Sequence, residues 1–402
     1  MCGICGEITF TGRPDLAAIQ SMTDAMHRRG PDSRGVIARG GVSLGHARLS
    51  IIDVSSLSEQ PMVDSDLGLS IAFNGCIYNY QDLRATLIGK GYRFFSGGDT
   101  EVILKAYHAW GARCVERFHG MFAFAILERD SGRVVLARDR LGVKPLYLAE
   151  TSTGLRFAST LPALLAAGDV DTSIDPIGLH HYMSLHAVVP PPRTILKGVQ
   201  KLPPATIMTI APDGQRTTET YWSLTMGERS SDRRMSEEDW IDATHEALSR
   251  AVERRRVADV PVGVLLSGGL DSSLVVGLLA EAGHADLKTF AIGFESVGDI
   301  CGDEFQYSDL VARRFGTEHH QIRIGADRML TALPDAIAAM AEPMMSHDAV
   351  GFYLLSQEVA KHVKVVQSGQ GADEIFGGYH WYPPLMHSND VSSDYRAIYF
   401  DR

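Results

Sequence analysis

Short apolar runs separated by turn residues mark the first half of the chain. Residues 71–73, 121–127 and 134–137 are such runs, bounded by Gly, Asn and Asp, and they predict strands. Residues 101–110 have helical spacing, with Val102, Leu104, Ala106 and Tyr107 apolar. Asp99 or Thr100 is the expected cap of that helix and Gly111 its stop. Strands with few helices predict a layered α+β domain.

The second half has a different rhythm. Residues 260–266 form a continuous apolar strand, 272–282 a helix stopped by Gly283, and 287–294 a strand. A helix over 307–315, a strand over 319–324, a helix over 352–362 and a strand over 363–367 follow. Alternation of this kind predicts βαβ units and a parallel sheet. Prolines at 190–192 and 203–204 punctuate the middle of the chain, and 226–238 is polar without apolar periodicity. The expected organisation is a first domain over 2–215, a linker over 216–238 and a second domain over 239–402. No internal repeat or low-complexity tract interrupts it.

Composition narrows the function. At 402 residues the chain exceeds one ordinary core, and 45% hydrophobic with 22% charged residues describes a globular protein. Asp and Glu outnumber Lys and Arg, 49 to 38, giving a net charge of -11. That argues against a nucleic-acid partner held by phosphate contacts, while leaving room for a basic pocket around a small phosphate ligand. The five cysteines, Cys2, Cys5, Cys76, Cys114 and Cys301, are an odd and sparse set that suits a reducing compartment. No basic-then-apolar leader follows Met1, and no apolar run approaches the ~20 residues of a membrane helix. The expected location is the cytoplasm, with no membrane partner.

Cys2 follows the initiator Met1. If Met1 is removed, Cys2 carries a thiol and a free α-amine, so one residue holds both nucleophile and base. Cys2 and Cys5 also spell C-x-x-C, which alone reads as a redox pair, half a metal site or an ordinary terminal cysteine, and no second C-x-x-C exists to complete a zinc site.

Downstream, 26–32 reads MHRRGPD, 45–53 GHARLSIID, 73–80 FNGCIYNY, 97–104 GGDTEVIL and 138–147 RDRLGVKPLY. This ordered set resembles the class-II glutamine amidotransferase domain of the asparagine synthetase family, over roughly 1–200. The resemblance implies an N-terminal-nucleophile fold of αββα layers with Cys2 as nucleophile. It implies Arg48 on the glutamine carboxylate, Asp99 on its ammonium, and the Asn74 amide with the Gly75 N–H as oxyanion hole. Taken singly, Arg48 also reads as a surface ion pair, Asp99 as a helix cap and Asn74-Gly75 as a hairpin turn. Family members commonly carry Glu where this chain has Cys76, which lies in the glutamine-binding segment. Arg28, Arg29 and Asp32 are expected to organise their loop by ion pairing.

In the second half, 264–273 reads VLLSGGLDSS, an apolar strand running through glycines into a helix. Gly268 and Gly269 let the backbone approach a ligand, and the new helix N-terminus attracts phosphate. Ser267, Ser272 and Ser273 add hydroxyls. No Walker motif occurs. The segment resembles the loop of ATP pyrophosphatases, implying an α/β Rossmann-like domain that uses ATP with Mg²⁺. The same resemblance places adenine near Leu266 and Ile292, nucleotide backbone contacts at Ser368-Gly369, and Mg²⁺ on Asp271 and Asp373. Glu374 would support the loop, and Gln370 stands where some relatives have Glu. His180-His181 and His319-His320 are read as packing or surface residues.

The expected activity is a glutamine- and ATP-dependent amide synthetase acting on a carboxylic acid acceptor, with room for a homodimer. Residues 73–80 and 180–206 resemble the subgroup that amidates N-acetylglutaminylglutamine. Aspartate is the alternative acceptor. A β-lactam-synthetase-like enzyme and an inactive module are lesser alternatives, the first opposed by Cys2. The chain stops soon after the second nucleotide segment, and is read as truncated. Trp381, Tyr382 and Phe400 are then expected to lack partners.

Overall fold

The computed structural model describes residues 1–227, 232–284, 286–296, 302–344 and 346–399. Cys301, Phe400 and part of the polar stretch 226–238 lie outside the described residues. Contacts divide the chain into two units, Met1–Arg233 with Met340–Met344, and Arg234–Ala339 with Met345–Arg402.

The first unit contains β1 (Gly3–Thr9), α1 (Leu16–Ala25), β2 (Ser33–Arg39), β3 (Val42–Arg48), β4 (Met62–Asp64) and β5 (Leu69–Ile77). It continues with α2 (Tyr80–Gly89), α3 (Asp99–Trp110), β6 (Gly120–Glu128), β7 (Val134–Arg138), β8 (Tyr147–Glu150) and β9 (Gly154–Ala158). Helices α4 (Leu161–Ala166) and α5 (Pro176–Ser184) and strands β10 (Val199–Lys201), β11 (Thr206–Ile210) and β12 (Arg216–Thr220) complete it. Two six-stranded antiparallel sheets result, ordered β10-β8-β9-β1-β3-β2 and β12-β11-β7-β6-β5-β4.

Strand alternation builds the layers. Ile4 and Ile8 of β1 and Leu44 of β3 meet Ala72, Ala125 and Leu136 of the other sheet in one core. Cys5, between them in sequence, faces the opposite way, against Ile19 and Met22 of α1 and Leu161 and Leu164 of α4. The predicted αββα arrangement therefore stands. Arg216–Thr220, read from sequence as linker, is a strand paired with β11. Helix α3 begins at Asp99 with Gly98 at the cap position and no side-chain cap bond, so neither Asp99 nor Thr100 is the cap. Its carboxylate is engaged elsewhere, as described below.

The second unit holds α6 (Glu237–Arg254), β13 (Val262–Leu265), α7 (Leu270–Glu281), β14 (Lys288–Phe294), α8 (Phe305–Phe315) and β15 (Glu318–Ile324). After these come α9 (Ala326–Ala339), α10 (His347–Val359), β16 (Val365–Gln367) and α11 (Ala372–Phe376). The strands form a parallel sheet, β15-β14-β13-β16. Helix α10 begins earlier than predicted because the Ser346 hydroxyl caps it, accepting from the Asp348 N–H. Trp381 and Tyr382 do not lack partners. Trp381 stacks on Tyr379 with ring centroids 4.5 Å apart, and Tyr382 lies 5.8 Å from the same ring. Among the described residues no helix is long and apolar enough to cross a membrane.

Candidate active site

Cys2 stands at the entrance to β1, with its sulfur accepting from the Leu49 N–H at 3.3 Å. Burial pushes its thiol above the usual range, against the opposing pull of the Leu49 amide and the chain's amino terminus. A thiol so placed needs a base before it can attack. The neighbouring Met1 amino group is pushed down to about 6, first by burial and then by the Arg29 and Lys144 charges. Arg29 is more than a loop ion-pair residue, since its Nε donates to the Cys2 carbonyl at 3.1 Å. Cys5 does not share this site. It is buried against α1, with its sulfur 3.3 Å from the Thr23 hydroxyl.

Asn74 and Gly75 are not a hairpin turn, for both lie inside β5. Phe73 donates its N–H to Gln60 Oε1 at 2.7 Å, and Ile77 donates its own to Asp99 Oδ2 at 2.9 Å. Both amides point away from β6, and alternation turns the Gly75 N–H to that same edge. Its partner across the sheet, Phe122, gives both main-chain groups to Asp139 instead. A Cβ at 75 would meet the Met121 carbonyl at 2.2 Å, so only glycine fits. Beside it Asn74 is 1% exposed, and among the described residues neither Nδ2 nor Oδ1 has a partner. A buried amide with no bond is costly, and in folded proteins it signals a ligand position or a reservoir of function.

Asp99 is buried and its carboxyl is pushed up to about 7. Burial is the larger cause, opposed by the amides of Ile77, Asp99 and Thr100 and by the Arg48 charge. Arg48 is buried too, so it is no surface ion pair. It donates to the carbonyls of Ser55 at 3.0 Å and Asp53 at 2.5 Å. Asp53 in turn accepts from the Gly97 N–H at 2.6 Å, joining the Arg48 loop to the glycines before Asp99. Cys76 is buried, and its thiol is pushed well up by burial and by Asp99, with Lys144 opposing. Cys2 also feels the charges of Asp99 and Lys144, which gathers these four residues around one site. Gln60, Asp53 and Lys144 carry no role in the sequence reading. Only Asp53 and Lys144 fall within its quoted motifs.

The second unit has its own cleft of about 310 Å³ at the carboxyl ends of β13, β14 and β16, where open α/β sheets bind ligands. Leu266, Ser267, Gly269, Asp271 and Ser272 line it on one side, and Ile292, Ser368, Gly369 and Asp373 on the other. Gly268 is not in the lining but shapes the turn. Its φ is +91°, and a Cβ there would meet the Ser308 N–H at 2.5 Å. A Cβ on Gly369 would meet the Asp271 Cβ at 2.9 Å, so the two glycine segments close on the α7 N-terminus. Burial and the charges of Asp373 and Glu374 raise the Asp271 carboxyl. Repelling carboxylates beside a helix N-terminus could hold a cation next to a phosphate. His319 is satisfied internally by Thr289 at 2.8 Å and Ser308 at 3.1 Å, and His320 stacks on Phe290 at 5.0 Å.

Family models match both halves of the chain. The glutamine amidotransferase domain model matches residues 1–222, and the asparagine synthase model matches residues 243–401. Asparagine synthetase [glutamine-hydrolyzing] 3 of Bacillus subtilis is 33% identical over 98% of this chain and 65% of its own length. Asparagine synthetase [glutamine-hydrolyzing] 1 of the same organism is 36% identical over 95% of this chain and 59% of its own length. The putative asparagine synthetase [glutamine-hydrolyzing] 2 of Methanocaldococcus jannaschii is 34% identical over 98% of this chain and 78% of its length. The chain thus spans under two thirds of the length of the two Bacillus relatives. With an N-terminal-nucleophile glutamine amidotransferase unit followed by an asparagine synthase unit, the chain belongs to the glutamine-hydrolysing asparagine synthetase family.

Proposed function

We propose that this chain releases ammonia from glutamine at Cys2 and supplies it to an ATP-driven amide synthesis on a carboxylic acid. The observation that carries the reading is the unpartnered, buried Asn74 amide beside the outward Gly75 N–H. In this reading Met1 is removed and the α-amine of Cys2 takes the thiol proton. The sulfur attacks the side-chain carbonyl carbon of glutamine, and Asn74 and Gly75 hold the oxyanion. The ammonium returns its proton to the departing nitrogen, leaving a thioester that water opens to glutamate. Arg48 retains N–H donors beyond those spent on the loop carbonyls, and these hold the α-carboxylate. Asp99 holds the α-ammonium.

In the second unit the α7 N-terminus and Ser267, Ser272 and Gly369 receive the ATP phosphates, with adenine against Leu266 and Ile292. Mg²⁺ would be held by Asp271 and Asp373 together with phosphate oxygens, the usual sharing for this ion, and would neutralise the charge of the pyrophosphate. The acceptor carboxylate attacks the α-phosphorus, pyrophosphate leaves, and ammonia displaces AMP to give the amide. N-acetylglutaminylglutamine is our acceptor, supported by the sequences of 73–80 and 180–206. Aspartate is the second reading, favoured by the names of the relatives. A reducing cytoplasm is the setting we propose, consistent with free thiols at Cys2, Cys5, Cys76 and Cys114, and a homodimer is the assembly we propose. The test is to measure glutamate, AMP and pyrophosphate together over a panel containing both acids. AMP formed with the dipeptide and not with aspartate supports the reading. AMP formed only with aspartate replaces the acceptor, and no glutamate release refutes the first step.

A further inference from the structure

Lys144 is 3% exposed, and among the described residues it forms no ion pair. A buried ammonium without a counter-charge is expensive, and packing alone would be served better by an apolar side chain. Its backbone is nevertheless pinned with care. Its N–H donates to Asp139 Oδ2 at 2.9 Å, and its carbonyl accepts from the Arg138 Nε at 2.8 Å. The ammonium ends 2.8 Å from the sulfur of Met1, a weak acceptor. That is the residue whose removal would bare the Cys2 amine.

We propose that Lys144 is a positioning residue of the glutaminase, whose charge beside the bared N-terminus keeps the Cys2 α-amine in its basic form. The proposal rests on Cys2 acting as an N-terminal nucleophile. A base already protonated cannot take the thiol proton, so a neighbouring cation serves the first step by disfavouring that state. The groups facing the Met1 amino terminus, one residue before the Cys2 nitrogen, are Cys2, Arg29, Lys144 and Asp32. Arg29 and Lys144 disfavour its proton, while Cys2 and Asp32 favour it. Lys144 itself faces Arg29, Cys2, Asp139 and Cys76, and burial brings it down to about 8. The Met1 amino group, one residue before Cys2, is pushed down to about 6, below the value to which Lys144 is brought. Arg29 is tied to the Cys2 carbonyl, whereas among the described residues the Lys144 ammonium has no main-chain or carboxylate partner.

The test uses full chain with Met1 removed, as verified by mass, and compares wild type with Lys144→Met, Lys144→Gln and Lys144→Arg. The α-amine pKa is read directly, from the pH dependence of its acetylation by acetic anhydride. The acid limb of kcat/KM for glutamine is measured alongside. Both should rise by about one pH unit or more in the Met and Gln variants and return in Lys144→Arg. Equal pKa values in all four proteins, with activity lost or kept, would overturn the proposal. The labelling readout needs no turnover. An amine shift in an enzyme that hydrolyses no glutamine would uphold Lys144 while refuting the glutaminase reading.

Discussion

The main-chain N–H of Phe73 is held by the side chain of Gln60, with 2.7 Å between nitrogen and Oε1. Strand β4 ends its pairing where Met62 meets Ile71, so the next outward amide of β5 has no strand to bond. Gln60 replaces that strand and reaches on to the Thr100 hydroxyl at 3.2 Å. The His46 ring completes the hold, with its Nε2 donating to the Phe73 carbonyl at 3.0 Å. One glutamine thus joins the strand of Asn74 to the helix of Asp99.

Gln60→Leu should therefore lose about 1–3 kcal/mol of stability, the cost of a buried amide left unmade. It should also lower kcat for glutamine hydrolysis, because Asn74 and Gly75 lose their fixed place. Denaturant melts and steady-state rates check the pair. Unchanged stability would mean that the β5–β6 ladder alone holds Phe73.

Asn74→Ala should separate activity from stability. Removing one oxyanion donor costs roughly 10²–10³ in kcat. The buried amide has no bond to lose, so the melting temperature should fall by only a few degrees. A large drop in melting temperature with a small drop in kcat would make Asn74 structural.

Asp99 and His46 should give the first unit opposed pH slopes. Asp99 is pushed up to about 7, so the folded state holds a proton that the unfolded chain releases near its ordinary ~4. Its contribution falls as pH rises between those values. His46 is pushed down to about 4, mainly by burial, so the unfolded chain binds the extra proton and stability rises with pH up to ~6.5. Asp99→Asn should remove the first slope only. Unfolding free energies at about pH 5 and about pH 8 should show the variant gaining on wild type at the higher pH. Glutamine's ammonium needs the ionised carboxylate, so the wild-type KM should fall as pH rises through about 7. A difference independent of pH would mean that Asp99 is already ionised in the fold.

Much of this was legible in the chain because its signals are local. Short apolar runs bounded by turn residues marked parts of β5, β6 and β7, and the glycines of 267–273 marked the strand-to-helix turn. Other features depend on distant partners. Gln60 bonds residues 13 and 40 positions away, and no spacing rule records that. Helix α6 reads as polar because Val252 is its one buried residue among those described, although Ser236 and Asp239 form a readable capping box. Lys144 sat in a quoted motif, but only burial without an ion pair set it apart.

Asp271→Asn should stop AMP and pyrophosphate formation while glutamine hydrolysis continues, because the carboxylate serves the second cleft alone. Metal chelation should have the same selective effect, with Mg²⁺ restoring the lost products. Product analysis by chromatography checks both. Loss of glutamate release in the variant would contradict the assignment.

The central claim is that Cys2 is an N-terminal nucleophile. The most direct measurement is glutamate release by wild type and Cys2→Ala, with the mass of the wild-type N-terminus determined on the same sample. Met1 should be absent, with glutamate formed by wild type and none formed by the variant. Glutamate release persisting in Cys2→Ala, or from protein that keeps Met1, would contradict it.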